Sequence, residues 1–149
     1  MQLIKNKQLT QDDWVFIEDE AALNADFNIV SWTRWQAECR PLSSQDNLGL
    51  RLESDAIIED IAASLDSFAL IELHIPVFTD GRAFTHARIL RDRYGFTGDI
   101  RVSGDFMLDQ IFYLQRVGIS SFVVNDNESA DKVIAVMDDF SVQYQDSVA

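Results

Sequence analysis

Apolar residues along this chain fall into short runs separated by polar, glycine-bearing stretches. Six of these runs read as strands: WVFIE (14–18), NIVSW (28–32), LGLRL (48–52), FALIELHI (68–75), DIRVS (99–103) and SFVVN (121–125). Between the later runs the apolar spacing widens to a helical period. Ser54 or Asp55 is placed to cap AIIEDIAASLDS, whose stripe is Ile57, Ile58, Ile61 and Leu65. Thr85 is the expected cap of HARILRDRY, with Ala87, Leu90 and Tyr94 on one face. Asp105 is the expected cap of FMLDQIFYLQRVG, closed by Gly118. A last helix, roughly 128–144, buries Val133, Ile134, Val136 or Met137, and Phe140.

From residue 48 the order is therefore β-α repeated four times, which favours right-handed crossovers and a parallel sheet. Residues 1–47 are less regular, with two short strands and a helix at TRWQAE. The expected fold is α/β: a single domain over 1–149 with a largely parallel sheet built from β-α units (48–149) and an irregular N-terminal region (1–47). The order leaves open whether the sheet lies open or curls as part of a barrel.

Composition narrows the class. The 149 residues are 47% hydrophobic and 25% charged, the balance of a soluble globular protein. The start, MQLIKNKQLTQDDW, has no signal-peptide core, and FALIELHIPVF is too short to span a bilayer and carries Glu72 and His74. A cytoplasmic protein without a membrane partner is expected. Cys39 is the single cysteine, so no internal disulfide and no cysteine-ligated cluster can be built. His74 and His86 lack metal-site spacing, and neither GxGxxG nor GxxxxGK[ST] occurs, so no metal or cofactor is expected. The net charge of -13 argues against nucleic acid as a partner.

That charge is unevenly spread. Residues 80–116 hold six of the 12 basic residues and only five of the 25 acids. All but one of the six glycines lie between Gly81 and Gly118, which predicts short, defined loops there. Within the same zone stand Phe78, Thr79-Asp80-Gly81-Arg82, Thr85, Ala87-Arg88 and Leu90-Arg91. Gly98, Arg101, Gly104-Asp105, Asp109-Gln110 and Arg116-x-Gly118 follow. This pattern, from Pro76 to Gly118, resembles an uncharacterised, mainly proteobacterial family encoded beside sulfite reductase genes. Its members are commonly called probable oxidoreductases of sulfite reduction. The chain departs from the family pattern at Leu108, where members often carry arginine, and at Val117, where they often carry cysteine. Any redox work needing that cysteine is closed to this chain.

In a parallel sheet, loops beyond the carboxyl ends of the strands collect binding groups. Thr79, Asp80, Gly81 and Arg82 follow one strand, Ser103, Gly104 and Asp105 the next, and Asn125 and Asp126 the one after. An arginine fork beside a helix start suits an oxyanion, and Arg88 and Arg91 share a helical face that extends the basic patch. Arg91, Arg101, Asp109, Gln110 and Arg116 complete the candidate anion- or partner-binding set. A second reading makes these charges an internal network. In it Asp80 braces its loop, Arg88 pairs with Asp92, Asp109 shares a helical face with Arg116, and Arg101 meets Glu72. A third reading is a partner-binding face, with Phe112, Tyr113 and Arg116 as anchors consistent with a homodimer or hetero-complex.

No catalytic set emerges: the separation of Asp80, Asp105 and Asp109 is not fixed, His74 lies inside an apolar strand, and Cys39 has no base beside it. The resemblance implies a place in assimilatory sulfite reduction, with the sulfite reductase haemoprotein as partner; the lack of cofactor ligands and of a catalytic set makes the expected role that of an accessory protein not itself redox-active. The alternatives are a small enzyme or anion-binding protein using the arginine zone, and a structural or regulatory α/β module unrelated to sulfur.

Overall fold

The computed structural model describes residues 2–42, 44–124 and 130–138. Among them eight strands form one sheet: β1 (Gln2–Lys5), β2 (Gln8–Thr10), β3 (Val15–Phe16), β4 (Asn28–Ser31), β5 (Leu48–Leu52), β6 (Leu70–Ile75), β7 (Asp99–Gly104) and β8 (Ser121–Val124). Their order is β2-β1-β8-β7-β6-β5-β4-β3, with β3 to β8 parallel and β1 antiparallel to both neighbours. Each parallel strand is laid beside the previous one in the same direction. Right-handed crossovers then bring every helix to the same face, and the sheet curls about the other.

The helices are α1 (Trp32–Leu42), α2 (Ile58–Ile61), α3 (Arg82–Arg88), α4 (Ile111–Arg116) and α5 (130–138). Strand alternation assigns the two faces. Leu48, Leu50 and Leu52 of β5, Ile71, Leu73 and Ile75 of β6, and Ile100 and Val102 of β7 all join the core under the helices. Helix residues Trp35, Ile58, Ile61, Ala83, Ala87, Leu90, Ile111, Leu114, Val133 and Met137 fill it from the other side. The opposite face of the same strands carries Gly49, Arg51, Glu72, His74, Arg101 and Ser103. The sheet is therefore apolar toward its helices and charged toward its inside.

The α/β class, the parallel sheet and all six expected strands are present, with Asn125 lying outside the described residues. So do Asp126, Phe140 and the ends of the last helix. Three local expectations differ. The β1–β2 hairpin turns through Asn6 and Lys7, both at positive φ (55° and 62°), the backbone of a two-residue primed turn. Its strands are too polar and short to stand out by alternation. Caps are also displaced. Ile57 precedes α2 with its side chain 57% exposed, so it stands outside the apolar stripe, and neither Ser54 nor Asp55 caps the helix. In α3 the chain is already helical at Arg82, because Asp80 accepts the Arg82 backbone N–H and starts the turn before Thr85. Lastly, the segments read as continuous helices are shorter. α2 passes into a 3₁₀ turn (Ala62–Ser67), α3 into a π turn (Ile89–Arg93), and α4 is entered through a 3₁₀ turn (Leu108–Gln110).

Candidate functional site

The charged inner face is built by register. Ser31, Arg51, Glu72, Arg101 and Ser121 are neighbours across β4 to β8, forming one belt across the curl. Arg101 Nε donates to Glu72 Oε1 at 2.8 Å, and Arg51 Nε donates to the other oxygen of the same carboxylate. Arg101 Nη1 donates to Asp12 Oδ1 at 2.8 Å, from the segment between β2 and β3. Phe16 of β3 covers Arg51, with the guanidinium carbon 3.7 Å from its ring centroid. Glu72 and Arg101 are buried. Two arginines against two carboxylates leave this group neutral, which is the condition for burying so much charge.

The expected Arg101–Glu72 pair is thus present, but Asp12, Phe16 and Arg51 were not among the sequence candidates. Arg51 had a readable signal: in LGLRL the three leucines claim one face and leave Arg51 on the other. Asp12, 89 residues from Arg101, had none.

One step along the strands, His74 Nδ1 and Ser103 Oγ share a hydrogen bond at 3.1 Å. Beyond them lie the loops at the carboxyl edge. Arg82 donates to both oxygens of Asp80, through Nε at 3.1 Å and Nη2 at 3.0 Å. This bidentate pairing, reinforced by the Arg82 backbone N–H, lowers the Asp80 pKa to about 2, while Asp80 raises that of Arg82. His86, behind the loop, is buried; desolvation lowers its pKa, and the charge of Arg82 adds to this.

The next loop is tied to this one. Asp105 Oδ2 accepts the Phe78 N–H at 3.2 Å, so Asp105 braces a neighbouring loop instead of capping its own helix. Gln110 Nε2 donates to the Phe78 carbonyl at 2.9 Å, and Gln110 Oε1 accepts the Met107 N–H at 2.8 Å. Asp105 and Asp109 line a cleft of about 350 Å³ with Phe106, Met107, Leu108 and Val123. Across this edge, Ile57, Val77, Phe78 and Met107 stand roughly half-exposed. Glu53, Asp55, Asp105 and Asp109 are exposed around them.

The remaining arginines of the sequence cluster lie elsewhere. Arg91 is at the opposite, amino-terminal edge of the strands. It donates to Phe96 O and Gly98 O through Nη1, at 2.7 and 2.8 Å, and to Gly118 O through Nε and Nη2, at 3.0 and 2.9 Å. Burial lowers its pKa, though it remains a cation. Arg88 is exposed on α3, with no ion pair to Asp92 among the described residues. Arg116 is exposed at the end of α4, over the Phe112 ring at 6.0 Å. The structure therefore brings together Asp80, Gly81, Arg82, Asp105, Asp109 and Gln110 at one edge. It places Arg88, Arg91, Arg101 and Arg116 in separate surroundings.

Fold and site together define a curled, mostly parallel β/α protein whose inner face is a charged belt and whose carboxyl edge is a set of cross-braced loops. Residues 49–149 match a family of bacterial proteins of unknown function (DUF934), and the chain belongs to that family. No curated protein matches it. Among the described residues no helix is long and apolar enough to cross a membrane, and no group of three His, Cys, Asp or Glu side chains is placed to hold a metal ion.

Proposed function

We propose that this protein is a cytoplasmic accessory protein of assimilatory sulfite reduction, not itself redox-active, which docks through its carboxyl-edge loops onto the sulfite reductase haemoprotein. The pathway rests on the resemblance of residues 76–118 to a family encoded beside sulfite reductase genes. The docking mode rests on one observation: apolar Ile57, Val77, Phe78 and Met107 face outward on three successive loops, of which the second and third are cross-braced by Asp105 and Gln110. Loops held this firmly present an apolar surface at little entropic cost on binding. The acidic rim of Glu53, Asp55, Asp105 and Asp109 selects a partner surface that is basic around an apolar centre. It also disfavours a second copy of this chain, whose like charges would meet across the contact.

The test is co-purification of the haemoprotein with the tagged protein. Phe78→Asp with Met107→Asp should abolish capture while leaving the circular dichroism and unfolding midpoint of the protein unchanged. Capture that survives this double substitution removes the proposed surface. A deletion strain should fail to grow on sulfate and on sulfite and recover on sulfide. Normal growth on all three sulfur sources removes the pathway.

A further inference from the structure

Within the inner belt, the two carboxylates holding Arg101 differ in kind. Glu72 comes from the neighbouring strand, and its side chain is 1% exposed. The Asp12 side chain is 28% exposed and belongs to residues 11–14, a segment without regular structure between β2 and β3. Its neighbours Gln11 and Asp13 are exposed, and the other hydrogen bond to its carboxylate is from the Trp14 N–H at 3.1 Å. Arg51, Arg101 and Glu72 by themselves carry one excess positive charge inside the curl. A buried guanidinium deprived of its counter-charge is strongly destabilising. The belt therefore demands one further anion, and a partly exposed carboxylate from a non-local segment supplies it.

We propose that this position on Arg101 is an oxyanion-binding site, with the Asp12 carboxylate as its internal occupant, and that a small oxyanion of the sulfate or phosphate class displaces it. The chemistry of the position matches that class. The guanidinium offers donors in a plane suited to two oxygens of one anion. Ser103, two residues along the same face, can add its hydroxyl proton to a further oxygen when His74 Nδ1–H is the donor in the bond the two share. Asp99 on the same face is already engaged by Ser120, Ser121 and Lys5, so it does not compete for Arg101. Release of Asp12 is also felt beside it. Trp14 loses its bond to the carboxylate, and its ring sits against Gly49 and edge-on to Phe27, at 5.3 Å between centroids. The inference is independent of the docking surface proposed above.

The full chain is titrated with sodium sulfate and with sodium phosphate at ionic strength held constant by sodium chloride, followed by calorimetry and tryptophan fluorescence. Saturable binding is expected, with a fluorescence change that vanishes in Trp14→Phe while the heat remains. Asp12→Asn keeps the shape of the occupant but removes its charge, so it should bind about tenfold tighter because a neutral amide yields the guanidinium more readily than a carboxylate does. Arg82→Ala should bind as the native protein does, and Arg101→Lys should not bind. Absence of saturable binding in Asp12→Asn, or an affinity no tighter than native, overturns the proposal. Binding lost in Arg82→Ala also overturns it, since the anion would then sit on the loops. If Arg101→Lys fails to fold, the Asp12→Asn comparison decides alone.

Discussion

At the amino-terminal ends of β7 and β8, Arg91 gives its guanidinium to three backbone carbonyls. At the opposite ends of the strands, Arg82 gives its own to one carboxylate within its own loop. The two residues are nine apart, on one helical segment, within one motif. Arg91 joins the turn after α3 to the approaches of two strands, so its bonds hold non-local backbone together. Arg82 closes a contact two residues long. Crowding of arginines in a sequence thus says little about crowding in space, because a β-α unit carries successive helical turns from one edge of the sheet to the other.

Removing each arginine should separate the two edges most widely. Arg91→Ala leaves the Phe96, Gly98 and Gly118 carbonyls without their donors, and part-buried carbonyls are costly to leave unmatched. The expected loss is about 3 kcal/mol, read as a lower urea midpoint at unchanged slope. Arg91→Lys should recover only part of it, since a single ammonium cannot span carbonyls from three directions.

Gly118→Ala tests the same edge from the other side. Its φ is +106°, and an added Cβ would stand 2.5 Å from Arg91 Cγ. Arg91 is pinned by its own hydrogen bonds and cannot swing aside cheaply. Backbone strain and the displaced clamp together should cost about 2 kcal/mol, less than loss of the clamp itself. A substitution that proves neutral would show that Arg91 is mobile, and the contrast between the edges would weaken.

Gln110→Ala moves the test to the carboxyl edge. It removes one bond to the Phe78 carbonyl and one from the Met107 N–H, both near solvent, so water replaces them. A loss of about 0.5–1 kcal/mol is expected. Exchange of the Met107 amide with deuterium should quicken, whereas the Phe78 amide, held by Asp105, and the amides of β7 should change little.

How much of this was legible follows from where each signal lives. The strand faces were readable, because alternation in LGLRL and LIELHI separates leucine and isoleucine from arginine and glutamate within a few residues. The Arg101–Glu72 pair followed from that alternation once the two strands were taken as neighbours. Asp12 and Phe16 were not readable, since a chain segment that crosses the inside of a curled sheet leaves no periodic trace. Helix ends were misplaced for a related reason. Thr85 and Asp105 have the right chemistry for caps, but the structure starts α3 earlier with Asp80 and spends Asp105 on the loop next door. The loops at 79–82 and 103–105 were expected at one edge of the sheet and lie there, whereas Asp109 and Gln110, read as part of a helix, gave no sign of joining them. What separates Arg82 from Arg91 was not visible, because both are arginines on the same helical stretch.

The smallest effect belongs to Arg82, and it carries its own pH signature. The Arg82 side chain is exposed, and the more covered Asp80 carboxylate keeps the backbone N–H of residue 82, so Arg82→Ala should lower the unfolding midpoint only slightly at neutral pH. The charge of Asp80 should nevertheless respond. Its folded pKa of about 2 lies below the ordinary 3.8, so the pairing favours the folded state above pH 3.8 and is lost as pH falls through about 2. Carboxyl-carbon NMR should show Asp80 titrating near 2 in the native protein and shifted up toward 3.8 in Arg82→Ala, which keeps the backbone N–H of residue 82. The small stability difference between the two proteins should then be constant above pH 4 and vanish as pH falls toward 2. If Asp80 keeps its low value without Arg82, the loop backbone and Ser54 hold the carboxylate instead. Arg82 would then be free to meet a partner, and the carboxyl edge would be even less like the Arg91 clamp than the native contacts make it.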